Sequence, residues 1–269
     1  MKYTGPIPQL GFGTYSHEGD EGRQIIGWAL ETGYRHIDTA QMYRNETQVG
    51  RAIAESGIPR AELFITTKIG PENFGPGKIM GHAKASLDRL RLTQVDLLLL
   101  HWPSATYDAN DYVAQLAGVY DAGLAKHIGV SNFTKDLLDV AIRIFGPRLV
   151  ATNQCEIHVF NQNRIIADYC KSKNIPMTAY SPLARGRFAG HPILKAIGER
   201  TSHTASQVGL AFLMHEGHII IPASTNKARM KENFESQNVM LSADDITQIR
   251  KLDEGRRLVT GSWAPKWDT

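Results

Sequence analysis

The chain has 269 residues, 42% of them hydrophobic and 21% charged, which is enough apolar material to build a large core. Its 30 basic and 27 acidic residues leave a formal charge of +3 and are spread along the chain, which excludes the clustered basic face of a nucleic-acid binder. Cys155 and Cys170 alone imply no disulfide framework, the start MKYTGPIPQL lacks a signal-peptide core, and the longest apolar run, Leu97 to Leu100, is too short to span a bilayer. The expectation is a soluble cytoplasmic protein with no nucleic-acid or membrane partner.

No stretch has the composition of an interdomain linker, so residues 1–269 read as one domain. The early glycine pair Gly11 and Gly13, in LGFGTYS, lacks both a third glycine and a preceding strand, and reads as a turn. A helical face of Ile25, Ile26, Ala29 and Leu30 follows, with Gly33 where a C-cap glycine belongs. The first β-type run is Tyr34 to Asp38. Others follow at Leu63–Thr67, Val95–Leu100, Lys126–Val130, Val150–Asn153, Met177–Tyr180 and Ile219–Ile221, with Gln237–Leu241 as a weaker eighth. Between them lie amphipathic segments. Leu137, Leu138, Ala141 and Ile144 keep helical spacing, and Thr204 and Gln207 form a capping-box pattern ahead of a helix closed by Gly217. About eight strand–helix units in a chain of this length predict an α/β fold, a (β/α)8 TIM barrel. An open doubly wound sheet would begin with a strand running into a glycine-rich turn, which is missing.

A barrel of this kind collects its functional side chains at the C-terminal ends of its strands. Asp38, Lys68 and His101 end the first three runs. Ser131 and Asn132, Gln154 and Ser181 end the next three, and Ser224 lies just past the seventh. A lysine and an aspartate facing each other in a dry mouth must pair, since either charge alone is costly to bury. Tyr43, five residues beyond Asp38, is close enough to join them. An adjacent ammonium lowers a phenol pKa, making Tyr43 a candidate proton donor, and His101 can orient a carbonyl oxygen. Taken singly, each is as well explained by packing; the series along one rim predicts a site.

GYRHIDTAQMYRNETQVG (33–50), including Glu46 and Gly50, resembles the first signature of the aldo-keto reductases. LAGVYDAGLAKHIGVSNF (116–133) resembles the second, and IPASTNKARMKEN (221–233) the third, while ITTK and LLLLHWP supply the lysine and the histidine. The resemblance spans essentially the whole chain, which is similar to the bacterial 2,5-diketo-D-gluconic acid reductase group that also reduces methylglyoxal. It implies an NADPH-dependent reductase of small aldehydes and ketones, without a metal and acting as a monomer. It implies Tyr43 as general acid, tuned by Lys68 and Asp38, with His101 positioning substrate. Tyr180 would stack on the nicotinamide, and Ser131, Asn132 and Gln154 would hold its carboxamide. Gly13 and Thr14 would line the cofactor, with Asp38, Ser181, Leu183, Glu232 and Asn233 beside it.

Ser224, Thr225 and Asn226 precede a helix, where backbone N–H groups receive phosphate, and Arg229 and Lys227 add positive charge. Family members that prefer NADPH commonly carry a basic residue where this chain has Ala223. That leaves Arg229 to discriminate the 2′-phosphate, with NADP(H) favoured and NAD(H) also usable.

Tyr15, Trp102, Trp263 and Trp267 are candidates for the walls of the substrate pocket, and the tail GSWAPKWDT for a cover over the barrel mouth. Trp28 reads as core. Arg185 and Arg187 are candidate contacts for cofactor phosphate or acidic substrates. Tyr169 and Lys173 match Y-x-x-x-K without the glycine-rich loop that should accompany it. His215, Glu216 and His218 fall short of H-E-x-x-H, and Cys155 has no activating partner. Two other functions are compatible with parts of the pattern: a Schiff-base lyase using Lys68, and a non-catalytic NADPH-sensing module. The first leaves Ser131, Asn132, Gln154 and Tyr180 without a purpose, and the second leaves Tyr43, Lys68, His101 and Asp38 without one.

Overall fold

The computed structural model describes residues 2–146 and 150–268. Eight parallel strands form the barrel: β1 (Gly11–Gly13), β2 (His36–Asp38), β3 (Phe64–Ile69), β4 (Val95–Leu100), β5 (Ala125–Ser131), β6 (Val150–Glu156), β7 (Met177–Tyr180) and β8 (Ile219–Ile220). Each pairs with the next in sequence order, and the ring closes where Ile220 N donates to Gln9 O at 2.8 Å and Gly13 N to Pro222 O at 3.1 Å. The helices that cover it are α1 (Gly19–Thr32), α2 (Glu46–Glu55), α3 (Lys78–Leu90), α4 (Ala109–Asp121), α5 (Lys135–Phe145), α6 (Arg164–Ser172), α7 (Pro192–Thr201), α8 (Ala205–His215), α9 (Lys227–Glu235) and α10 (Ala243–Arg250).

The barrel expectation holds, with one strand relocated. Gln237–Leu241 is not a strand; a 3-10 turn, Ser236–Asn238, opens that stretch. The missing strand is Gly11–Gly13, which the sequence presents as a turn because it has only three residues and two are glycines. Packing explains them. A Cβ on Gly11 would lie 2.6 Å from His36 Nδ1, and one on Gly13 would lie 2.8 Å from Ile221 O. Only a bare backbone fits against the imidazole on one side and the closing strand on the other.

Local signals place the helices as expected. Ile25, Ile26, Ala29 and Leu30 are buried, and Gly33 ends α1 at φ 119°, its N–H reaching Ala29 O and Leu30 O. Thr204 and Gln207 complete a capping box on α8. Beneath the barrel, a short hairpin of Tyr3–Thr4 and Ile7–Pro8 inserts Ile7 among Phe64, Leu97, Leu99, Ala151 and Ile219. Burial of such a side chain contributes roughly 1.5–3 kcal/mol and seals the end away from the site. Above that plug the interior turns polar but stays paired: His36 Nε2 meets Thr66 Oγ1 at 3.0 Å, and Thr152 Oγ1 meets Thr178 Oγ1 at 2.9 Å.

Candidate active site

Asp38 ends β2 in register with Thr66 of β3, and Lys68 follows two residues on with the same parity, so the two side chains share the upper interior. Lys68 is fully buried and donates all three of its N–H bonds: to Asp38 Oδ1, to Thr39 O at 2.9 Å and to Tyr43 Oη at 3.3 Å. Burial opposes the ammonium, but the Asp38 carboxylate and Tyr43 outweigh it and hold the Lys68 pKa above its ordinary value. His101 brings Nε2 to 3.4 Å from Tyr43 Oη, with the two rings edge to face. Burial, then the Lys68 charge, push His101 well below the ordinary imidazole range, so it is neutral at pH 7. Its Nδ1 is buried without a partner.

Tyr43 differs from expectation in one respect. Burial raises its phenol pKa above the ordinary value; Lys68 pulls it down, and Asp38 offsets that pull. Burial and the Asp38 carboxylate together outweigh the Lys68 ammonium, so the phenol pKa is held above its ordinary value and the group is protonated at neutral pH.

The turn that carries Tyr43 is fastened by Gln41 and Asn45, which the sequence did not single out, and by Glu46, which it placed only within the first signature. Gln41 donates to His82 O at 2.9 Å and Ser86 Oγ at 2.8 Å. Asn45 Nδ2 donates to Thr14 O at 2.7 Å and His17 O at 3.0 Å, and its Oδ1 accepts from Thr39. Glu46, buried, accepts from Thr67 Oγ1 and pairs with Arg89 at 2.7 Å. Their signal was available: polar residues flanking a short loop that must be rigid.

Ser131, Asn132, Gln154 and Tyr180 come together on the same rim. Gln154 Nε2 donates to Asp38 Oδ2 at 2.8 Å and Ser131 Oγ to Gln154 O at 2.8 Å. Asn132, in the left-handed region at φ 62°, donates to His101 O at 3.1 Å and accepts from Tyr180 Oη at 3.0 Å. Thr14 is buried and bonds Asp38 O through both N and Oγ1 at 3.0 Å. Ser181 is also left-handed, at φ 50°, with Leu183 half-buried beside it.

At the edge, Asn226 caps α9 by accepting from Arg229 N at 3.0 Å, and Ser224 Oγ accepts from Asn226 N at 3.1 Å. Thr225 and Arg229 are exposed. Lys227 turns instead to Glu31 at 2.7 Å and lies over Trp28, which is half-buried and packs against the core as expected. Glu232 accepts from Thr204 Oγ1 at 2.6 Å, and Asn233 is buried against the turn that follows α9.

Among the pocket candidates, Tyr15 is exposed and stands edge-on to Tyr43 at 5.2 Å. Trp102 is buried, and Trp263 and Trp267 stand against it at 4.5 and 6.1 Å. Arg185 and Arg187 are exposed in the loop after β7. Tyr169 bonds Asp139 on the outer surface, and Glu216 pairs with Arg250 at 2.7 Å, so neither chance motif forms a site. Burial pushes the Cys155 thiol up to about 12, which makes it inert as a nucleophile. Among the described residues no group of three or more His, Cys, Asp or Glu is arranged to hold a metal, and no helix is long and apolar enough to cross a membrane.

Residues 9–254 match the model of the Aldo/keto reductase family. The chain is 42% identical over 265 residues to the methylglyoxal reductase DkgB of Escherichia coli O157:H7, covering 97% of this chain and 99% of that one. It is 37% identical over 256 residues to the 9,11-endoperoxide prostaglandin H2 reductase of Trypanosoma cruzi, covering 94% and 90%. Among solved structures it resembles MGS-M4, an aldo-keto reductase from a Medee basin deep-sea metagenome library, with a TM-score of 0.90, 34% identity and 94% coverage of each chain. It also resembles the aldose reductase of Schistosoma japonicum, with a TM-score of 0.89, 29% identity and coverage of 97% and 95%. With a parallel barrel, a buried lysine–aspartate pair at its mouth and these relatives along nearly its full length, the chain is an oxidoreductase that belongs to the aldo/keto reductase family.

Proposed function

We propose that this enzyme reduces small aldehydes and ketones, methylglyoxal and keto-sugar acids among them, with NADPH as preferred cofactor and Tyr43 as proton donor. The observation that carries it is the meeting of Tyr43 Oη with Lys68 Nζ at 3.3 Å and with His101 Nε2 at 3.4 Å. Tyr43 already accepts a bond from Lys68, so its own proton is free to point into the mouth. A carbonyl oxygen seated between Tyr43 and His101 becomes an alkoxide as hydride adds to its carbon, and an alkoxide is more basic than a phenolate. Tyr43 therefore gives up its proton, and the phenolate left behind rests against the Lys68 ammonium. Solvent then restores the proton.

The donor set fits a nicotinamide dinucleotide. Hydroxyl and amide groups at Ser131, Asn132 and Gln154 suit a carboxamide, and Tyr180 offers a flat ring beside them. Ser224, Thr225, Asn226 and the N-terminus of α9 suit a phosphate, and this reading adds Gly13, Thr14, Ser181, Leu183, Glu232 and Asn233 to the cofactor set. When bound, the nicotinamide supplies the hydride. Arg229 is the residue left to read a 2′-phosphate, since Ala223 has no charge and Lys227 is engaged with Glu31. All four reacting groups come from one chain, which supports action as a monomer, and the two free cysteines suit the cytoplasm. Lys68 as a Schiff-base nucleophile is disfavoured, because its amine is protonated and every N–H is committed.

The test is a carbonyl panel that includes methylglyoxal, followed by cofactor absorbance with NADPH and NADH in parallel. Turnover that requires a nicotinamide and is faster with NADPH is expected. Absence of turnover across the panel overturns the proposal.

A further inference from the structure

Glu156 ends β6 two residues beyond Gln154 and is paired in register with Tyr180, so it sits at the level of the mouth. Its side chain and that of His158 are completely buried. A carboxylate there needs strong partners, and they are unusual ones. His158 Nε2 lies 2.9 Å from Oε1, and the backbone N–H groups of Leu258 and Val259 donate to Oε1 and Oε2 at 2.7 and 2.8 Å. Burial works against the ionised form, but these three partners outweigh it and hold the Glu156 pKa below its ordinary value. No group of the reacting set touches this carboxylate. It is spent on the chain's last segment.

That segment is pinned a second time, where Asp268 accepts from Lys135 N at 3.1 Å in the first turn of α5. Between the two pins the strap lays Trp263 and Trp267 edge-on against Trp102, which directly follows His101. Arg257 stacks on Trp267 at 3.7 Å. Three of the chain's four tryptophans thus stand together beside the mouth, and two of them are brought there only by the strap.

We propose that Glu156 is a positioning residue that docks residues 258–268 across the barrel mouth, and so sets how well the enzyme takes aromatic carbonyl substrates relative to three-carbon ones. This rests on the reductase function proposed above. A small carbonyl needs only Tyr43 and His101, whereas an aromatic one gains its affinity from the indole wall that the strap supplies.

The experiment compares wild type, Glu156→Gln and Val259→Pro on 4-nitrobenzaldehyde and methylglyoxal, with tryptophan emission recorded on each protein. Glu156→Gln loses one acceptor oxygen. Val259→Pro removes one donor N–H while leaving every barrel side chain in place, so it serves if the first variant folds poorly. Both variants are expected to raise KM for 4-nitrobenzaldehyde about tenfold. They should leave kcat for both substrates and KM for methylglyoxal within about twofold, and shift tryptophan emission to the red. An equal KM rise for both substrates, a KM split without the emission shift, or an emission shift without the split overturns the proposal. If wild type reduces neither compound, the reductase function is what fails. The latch is then judged by emission alone, and an unchanged spectrum in both variants overturns it.

Discussion

Gln154 donates from Nε2 to Asp38 Oδ2 at 2.8 Å across the barrel, while the other oxygen of Asp38 holds the Lys68 ammonium. The two residues are 116 positions apart in the chain, and the bond orients a carboxylate that is 1% exposed. Asp38 is thus fully committed: one oxygen to charge, one to an amide, with its backbone carbonyl receiving Thr14.

That commitment makes Asp38→Asn costly. Lys68 would be left buried without a counter-charge, a change worth about 3–5 kcal/mol when one partner of a buried pair is lost. Urea denaturation should show a drop of this size. Adding Lys68→Met should recover part of the loss, because the orphaned charge then disappears. Simple addition of the two penalties would argue against a coupled pair.

Tyr43→Phe should lower carbonyl reduction on the order of a hundredfold or more, the usual contribution of a positioned acid. Binding of NADPH, followed by fluorescence quenching, should be retained, since the ring and its contact with Tyr15 remain. Near-normal turnover in this variant would assign the proton to another donor.

Arg229→Ala should weaken NADPH much more than NADH. An arginine on a phosphate is worth roughly 1.5–3 kcal/mol as a charge-assisted bond, or about ten- to a hundredfold in affinity. The ratio of the two dissociation constants is the measurement. An unchanged ratio means that Arg229 does not read the 2′-phosphate.

The barrel interior should also make stability fall with acid. His36, 1% exposed and bonded to Thr66, is pushed by burial down to about 4 from an ordinary 6.5. Its folded pKa lies below its unfolded one, so the unfolded chain binds the proton first. The stabilisation is complete above pH 6.5 and is lost as pH falls toward about 4, at up to roughly 1.4 kcal/mol per pH unit for this residue. Denaturant midpoints measured between pH 7 and 4 should decline, and His36→Gln should flatten the slope. His101, buried neutral as well, adds in the same direction.

Much of this molecule was legible in the chain. Seven of the runs picked out by apolar patterning overlap barrel strands, and Gly33 and Thr204 mark helix ends as their chemistry dictates. Asp38, Lys68 and His101 were found because strand ends are short-range features with recognisable residue types. The first strand was not, since Gly11–Gly13 has no apolar pattern of its own and becomes a strand only against His36 and Ile221. Glu156 was visible in principle: it shares Gln154's parity in a buried strand, and a buried acid demands partners.

The amino-acid sequence by itself determined where the helices and most strands lie and which reactive groups stand at the rim, because period, capping and residue type act over a few positions. Tertiary structure alone decided the rest. It chose the glycine segment that closes the ring and turned Lys227 away to Glu31. It raised the Tyr43 phenol pKa by burial, against the pull of Lys68, and it spent Glu156 on a strap about a hundred residues downstream. Each of these depends on which distant group shares a dry, low-dielectric space, and no local pattern carries that information.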